Sequence, residues 1–108
     1  MVARRLQIFW SGPALADLRS IRAYVARERP QTAKRLGRRI EERVLALRDH
    51  PDLGRTVPEL PETGYRELIE PPYRIVYEVS RDRVVILRVW DSRRSPESLE
   101  EEVNPAGS

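Results

Sequence analysis

Apolar positions along the chain change their spacing in blocks. Leu6-Gln7-Ile8-Phe9-Trp10 is rich in β-favouring residues and stops at Ser11-Gly12-Pro13, which predicts a first strand. Ala14, Leu18, Ile21 and Val25 then recur at steps of four, three and four, with Leu15 and Tyr24 widening the stripe. That is the spacing of one helix face, with Ser11 placed to cap it and Pro13 tolerated in its first turn. Arg29-Pro30 breaks the pattern. After it, Ala33, Leu36, Ile40, Val44 and Leu47 mark one face of a second helix ending near Asp49-His50-Pro51. So short a link predicts an antiparallel helical hairpin.

From Asp52 to Thr63 the chain holds Gly54, Pro58 and Pro61 and reads as a loop too broken for a regular element. Three strands follow, roughly 65–69, 73–79 and 84–90. In the middle one, Tyr73, Ile75, Tyr77 and Val79 share a face, and Arg74, Val76 and Glu78 take the other. In the last, simple alternation sets Val85, Leu87 and Val89 against Val84, Ile86, Arg88 and Trp90. Two helices cover only one side of a sheet, so Arg88 and Trp90 are expected on the open side. The fold expected is α+β: a strand, then a helical hairpin packed on a small antiparallel β-meander, in the order β-α-α-β-β-β. Residues 1–94 make a single domain, and residues 95–108 an acidic, flexible tail.

With 108 residues, no cysteine and one histidine, the chain has neither a disulfide framework nor a thiolate zinc site, and no cofactor is expected. No run approaches the roughly 18 apolar residues of a membrane span, so a cytoplasmic, membrane-free protein is the expectation. Charge is unevenly placed. Residues 1–94 hold all 20 bases against 13 of the 17 acids, whereas Glu97, Glu100, Glu101 and Glu102 lie in the tail. Lys34 is the single lysine among 19 arginines. The outer face of the second helix carries Lys34, Arg35, Arg38, Arg39 and Arg43 against Glu41 and Glu42, a solvated surface or a contact for nucleic acid or an acidic partner.

Pro51-Asp52-Leu53-Gly54-Arg55-Thr56-Val57-Pro58-Glu59, then Tyr65-Arg66-Glu67-Leu68-Ile69 and Tyr73-Arg74-Ile75-Val76-Tyr77, resembles in order and spacing the RelE/ParE toxins of bacterial type II toxin-antitoxin systems. The likeness spans about residues 6–94 and lies closer to the ParE branch. It implies a toxin held silent in a hetero-oligomer with a cognate antitoxin. One branch of the superfamily cleaves messenger RNA on the ribosome; the ParE branch acts on DNA gyrase.

Such RNA cleavage needs a base for the 2′-hydroxyl, cations for the phosphate and an acid for the leaving 5′-oxygen. Arg74 and Arg94 match the two arginines of the ribonuclease branch, but Tyr65 and Glu67 stand at its lysine positions and Glu100 near its tyrosine. Glu59 matches the loop glutamate of other ribonuclease relatives, and no histidine follows it. Where ParE-like sequences often read Leu-His-Gly-Arg-Arg, this chain has Trp90-Asp91-Ser92-Arg93-Arg94. Asp91 at an ordinary pKa near ~4 is already ionised at neutral pH. A missing proton-transfer partner costs about 10²–10⁴ in rate, which favours a gyrase inhibitor that breaks no bond itself.

The residues expected to meet target or antitoxin are Arg66, Arg74, Arg88, Trp90, Arg93 and Arg94. The rival is a metal-independent, ribosome-dependent endoribonuclease with Glu59 as base and Arg74 and Arg94 on the phosphate. A second rival is a non-toxic module that binds an antitoxin or operator DNA. The plain reading of Arg74 is a cross-strand pair with Glu67 or Glu78.

Overall fold

The computed structural model describes residues 5–93 together with Leu99 and Val103. The elements are β1 (Gln7–Trp10), α1 (Gly12–Ala26), α2 (Pro30–Leu45) with a 3-10 turn at Ala46–Arg48, β2 (Arg55–Thr56), β3 (Arg66–Glu70), β4 (Tyr73–Val79) and β5 (Arg83–Asp91). The fold is α+β, as the spacing predicts, and β3-β4-β5 form the antiparallel meander. Two strands extend it. β1 joins one edge parallel to β5 and the two-residue β2 joins the other, giving the mixed order β1-β5-β4-β3-β2. The stretch read as a structureless loop therefore contributes an edge strand too short to show any alternation.

Ser11 caps α1, its hydroxyl oxygen accepting from the Ala14 amide at 3.1 Å. Ala14 and Leu18 are buried, with Ile21 half-buried, and they meet the α2 stripe of Ile40, Val44 and Leu47 over Leu68, Tyr73, Ile75, Tyr77, Val84, Ile86 and Val89 of the sheet. This is the main core. Gly37 sits where the helices approach, because a Cβ there would lie 3.0 Å from the Arg22 side chain.

The last strand departs from simple alternation. Val76 faces Arg88 while Tyr77 faces Ile86, so Leu87 is an extra residue in a β-bulge. The frame flips there: Val84, Ile86 and Val89 all reach the helix-side core, whereas Leu87 and Trp90 join a second cluster on the opposite face. β1 ends opposite Ile86, leaving the following backbone groups of β5 without a strand neighbour on that side. The start of α1 takes over that edge. The Ser11 hydroxyl donates to the Leu87 carbonyl at 2.9 Å, and Asp17 accepts from the Val89 amide at 2.9 Å.

The second cluster packs Val57, Leu60, Val76, Trp90 and Leu99, with Val103 against them. The face expected to be open is covered by Val57, Leu60, Tyr65, Leu99 and Val103. Leu99 is helical and fully buried, so the expected loose tail does not hold at that residue. No described helix is long and apolar enough to cross a membrane.

Candidate functional site

Arg74 projects from β4 to the side away from the helices, as alternation requires, but it does not reach solvent. Its side chain is 9% exposed and lies between two carboxylates. Nη1 and Nη2 donate to Glu59 at 2.9 and 2.6 Å, and Nε donates to Glu67 at 2.6 Å. Glu67, whose side chain is wholly buried, spends its other oxygen on Arg55 Nε at 2.7 Å. Glu67 pairs with Val76 and Arg74 with Ile69, so the two ionic residues sit diagonally on one face and reach each other without bending the sheet. The expectation of Arg74 as an exposed contact is thus overturned in favour of its plain reading, with Glu59 as a further partner.

This network fixes the protonation states. Hydrogen bonding to Arg74 holds the Glu59 carboxyl below the usual range despite partial burial, and Arg74 is raised, first by Glu59 and then by Glu67. Glu59 is therefore a weak base with both oxygens engaged. A phosphate could meet Arg74 only by displacing a bidentate carboxylate. Glu59 and Arg74 do come together, as the ribonuclease reading requires, but each neutralises the other.

The other nominated residues are dispersed. Arg66 donates through Nη1 to the Gly54 carbonyl at 2.7 Å and is half-buried. Arg88 is turned by the bulge onto Asp17 of α1, at 2.7 and 2.8 Å, rather than onto an open face. Its guanidinium also lies 5.7 Å from the Trp90 ring centroid. Trp90 is 1% exposed beneath the second cluster, so it is core rather than a surface anchor. Arg93 does reach solvent, its side chain 66% exposed while pairing with Asp91 at 2.6 Å. Asp91 also accepts from the Arg93 amide, so it ends the strand instead of serving as an acid. Arg94 lies outside the described residues.

Sequence reasoning missed the residues that hold the loop in place. Gly54 donates its amide to the Tyr77 hydroxyl at 2.8 Å, and that hydroxyl donates to the Pro51 carbonyl at 2.9 Å. A Cβ on Gly54 would stand 2.5 Å from the Glu67 carbonyl oxygen and 2.6 Å from the Tyr77 hydroxyl. The single glycine in an otherwise side-chain-bearing loop is the signal that marks so close an approach.

The order of a strand, two helices and a mixed sheet has counterparts among known proteins. A profile described as the ParE toxin of the type II toxin-antitoxin system parDE covers residues 8–96. The chain belongs to the ParE toxin family. It is 36% identical over 89 residues to Toxin RelE2 of Caulobacter vibrioides, covering 82% of this chain and 97% of that one. To putative toxin Y4kP of Sinorhizobium fredii it is 33% identical over 95 residues, covering 88% and 98%. A solved chain of the chromosomal ParDE TA system from P. aeruginosa superposes with a TM-score of 0.66 at 24% identity, over 82% of this chain and 98% of that one, a likeness of fold. This ParE-family chain is thus a toxin of a type II toxin-antitoxin system, and a cognate antitoxin is its partner.

Proposed function

We propose that this toxin arrests DNA gyrase by binding it, and that it does not cut RNA. The observation that carries the reading is the Glu59–Arg74 pair at 2.6 and 2.9 Å. The two residues best suited to ribonuclease chemistry are each other's counter-ions, and the sequence has no histidine after residue 50 to supply an acid. A toxin without a proton-transfer set must act through its surface, where Arg93 and the bases of the helical hairpin are exposed. Arg94 is retained as part of that contact on the strength of its motif.

The discriminating experiment has two arms. Antitoxin-free protein is added to purified gyrase on relaxed plasmid, and transcript 5′ ends are mapped in cells after brief expression. Loss of supercoiling as toxin reaches the enzyme's concentration, without new ends inside translated codons, is the expected result. Unaltered supercoiling with fresh cuts in codons would instead establish the ribonuclease.

A further inference from the structure

Charge is divided between the two layers of the molecule. From Gly12 to Arg48, the helical layer, ten bases stand against four acids. From Asp49 to Arg93, which supplies β2 to β5, seven bases stand against nine acids. The positive charge of the described residues therefore lies on the helices. Two of the ten bases, Arg39 and Arg43, hold Glu70 of β3, and one of the four acids, Asp17, is taken by Arg88.

Within that layer Arg19, Arg22, Lys34 and Arg38 form one exposed group. Arg19 and Arg22 are three positions apart on α1 and Lys34 and Arg38 four apart on α2, so each pair shares a helix face. Arg22 joins the pairs. It lies across α2 at Gly37, its Nε 3.0 Å and its Cζ 3.3 Å from where a Cβ on that glycine would stand. Gly37 adjoins Arg38 and is one turn from Lys34, so three cations converge on the spot that the missing side chain opens. None of the four makes an ion pair with another described residue, and neither do Glu41 and Glu42 one turn beyond Arg38, nor Glu28 at the hairpin turn. Like charges at these spacings work against each helix.

What surrounds the group decides its partner. No large apolar side chain is exposed between residues 16 and 23 or between 31 and 42; the exposed neighbours of the bases there include Ala16, Ser20, Ala23 and Gln31. A protein interface centres on aromatic or aliphatic anchors, and a single nucleic-acid strand on aromatic stacking platforms. A duplex backbone needs neither. It carries about one charge per 1.7 Å of axis and presents them along a stiff rod. The 16 residues of α2 make a second stiff rod of about 24 Å, with its cations held at fixed intervals.

We propose that the outer face of the helical hairpin binds the phosphate backbone of double-stranded DNA through Arg19, Arg22, Lys34 and Arg38. Contacts of this kind position a protein on the duplex and read no base sequence. The proposal rests neither on the antitoxin nor on gyrase as the target, and its test contains neither.

Antitoxin-free, full-length toxin is titrated into a short fluorescent duplex of arbitrary sequence, and anisotropy is followed over a range of salt. Four neutralised phosphates give a slope of log K against log salt near about −3.6, an affinity loss of about 100-fold between about 50 and 200 mM. A second duplex of different sequence binds equally. Arg19→Gln, Lys34→Gln, Arg38→Gln in one chain brings the slope to about −1 and weakens binding at low salt at least about tenfold. Arg5→Gln, Arg81→Gln, Arg83→Gln removes the same net charge elsewhere and leaves the slope at the parent's value. All six side chains are exposed, and a thermal melt of each variant confirms its fold.

A parent that binds no duplex at low salt overturns the proposal. Equal losses in the two triple variants overturn it as well, since net charge alone would then account for binding. Tighter binding to a single strand of the same length would remove the duplex as the ligand.

Discussion

Arg74 shows how one residue's role turns on what surrounds it. Alternation along β4 places it correctly on the side away from the helices, and Glu67 was visible as a partner two positions off the register. Glu59 was not, because its approach depends on a loop whose path no periodicity encodes. The burial of this network sets its energetics. Removing one partner of a buried pair leaves the other uncompensated, so Arg74→Ala should cost about 3–5 kcal/mol in chemical denaturation, most of it from Glu67. Glu59→Gln, at the more exposed end, should cost less and leave the fold intact. Gly54→Ala should cost about 1–3 kcal/mol, since the added methyl meets backbone and a buried hydroxyl rather than a flexible side chain. Little loss on that substitution would mean the loop is not pinned as described.

Among the elements, the helices and the central strand were legible from spacing alone, and Ala14, Leu18, Ile40, Val44 and Leu47 do face the core, but Leu15 and Tyr24, read as widening the first stripe, are exposed. The last strand was legible in extent but not in phase. An apolar run such as Val84-Val85-Ile86-Leu87 fits either frame, and the bulged frame is the one in which Ser11 and Asp17 bond to β5. Trp90 was therefore assigned to an open face that does not exist, and Arg88 to a surface when it serves as a tie to α1. Asp17 holds both that arginine and a backbone amide. Asp17→Ala should thus destabilise by about 1–3 kcal/mol and speed hydrogen exchange at the Val89 amide more than at the centre of β4. Equal protection across the sheet in that variant would detach the bulge from the helix. β2 was missed because two residues carry no period.

For the whole molecule, pH stability should follow the few shifted groups. The Glu59 carboxyl is depressed in the folded state, so its contribution is full above its ordinary value of 4.5 and is lost as pH falls through the lowered one. Burial raises Tyr77, whose contribution is full below 10.0 and fades as pH climbs beyond it. The gap in thermal midpoint between the parent and Glu59→Gln should accordingly be widest near neutrality and shrink below pH 4.5. A constant gap across that window would contradict the ion pair. The closed far face leads to a further expectation: Leu99→Ala should cost about 2–5 kcal/mol, because its side chain is wholly buried against the second cluster.

The proposed mode of action of this ParE-family toxin is binding and not catalysis. The most direct measurement is gyrase supercoiling with increasing amounts of parent toxin and, in parallel, of folded Glu59→Gln. Inhibition by both, complete near equal concentrations of toxin and gyrase, is the predicted result. Gyrase left fully active by the parent, while Glu59→Gln abolishes growth arrest with its fold intact, would contradict it.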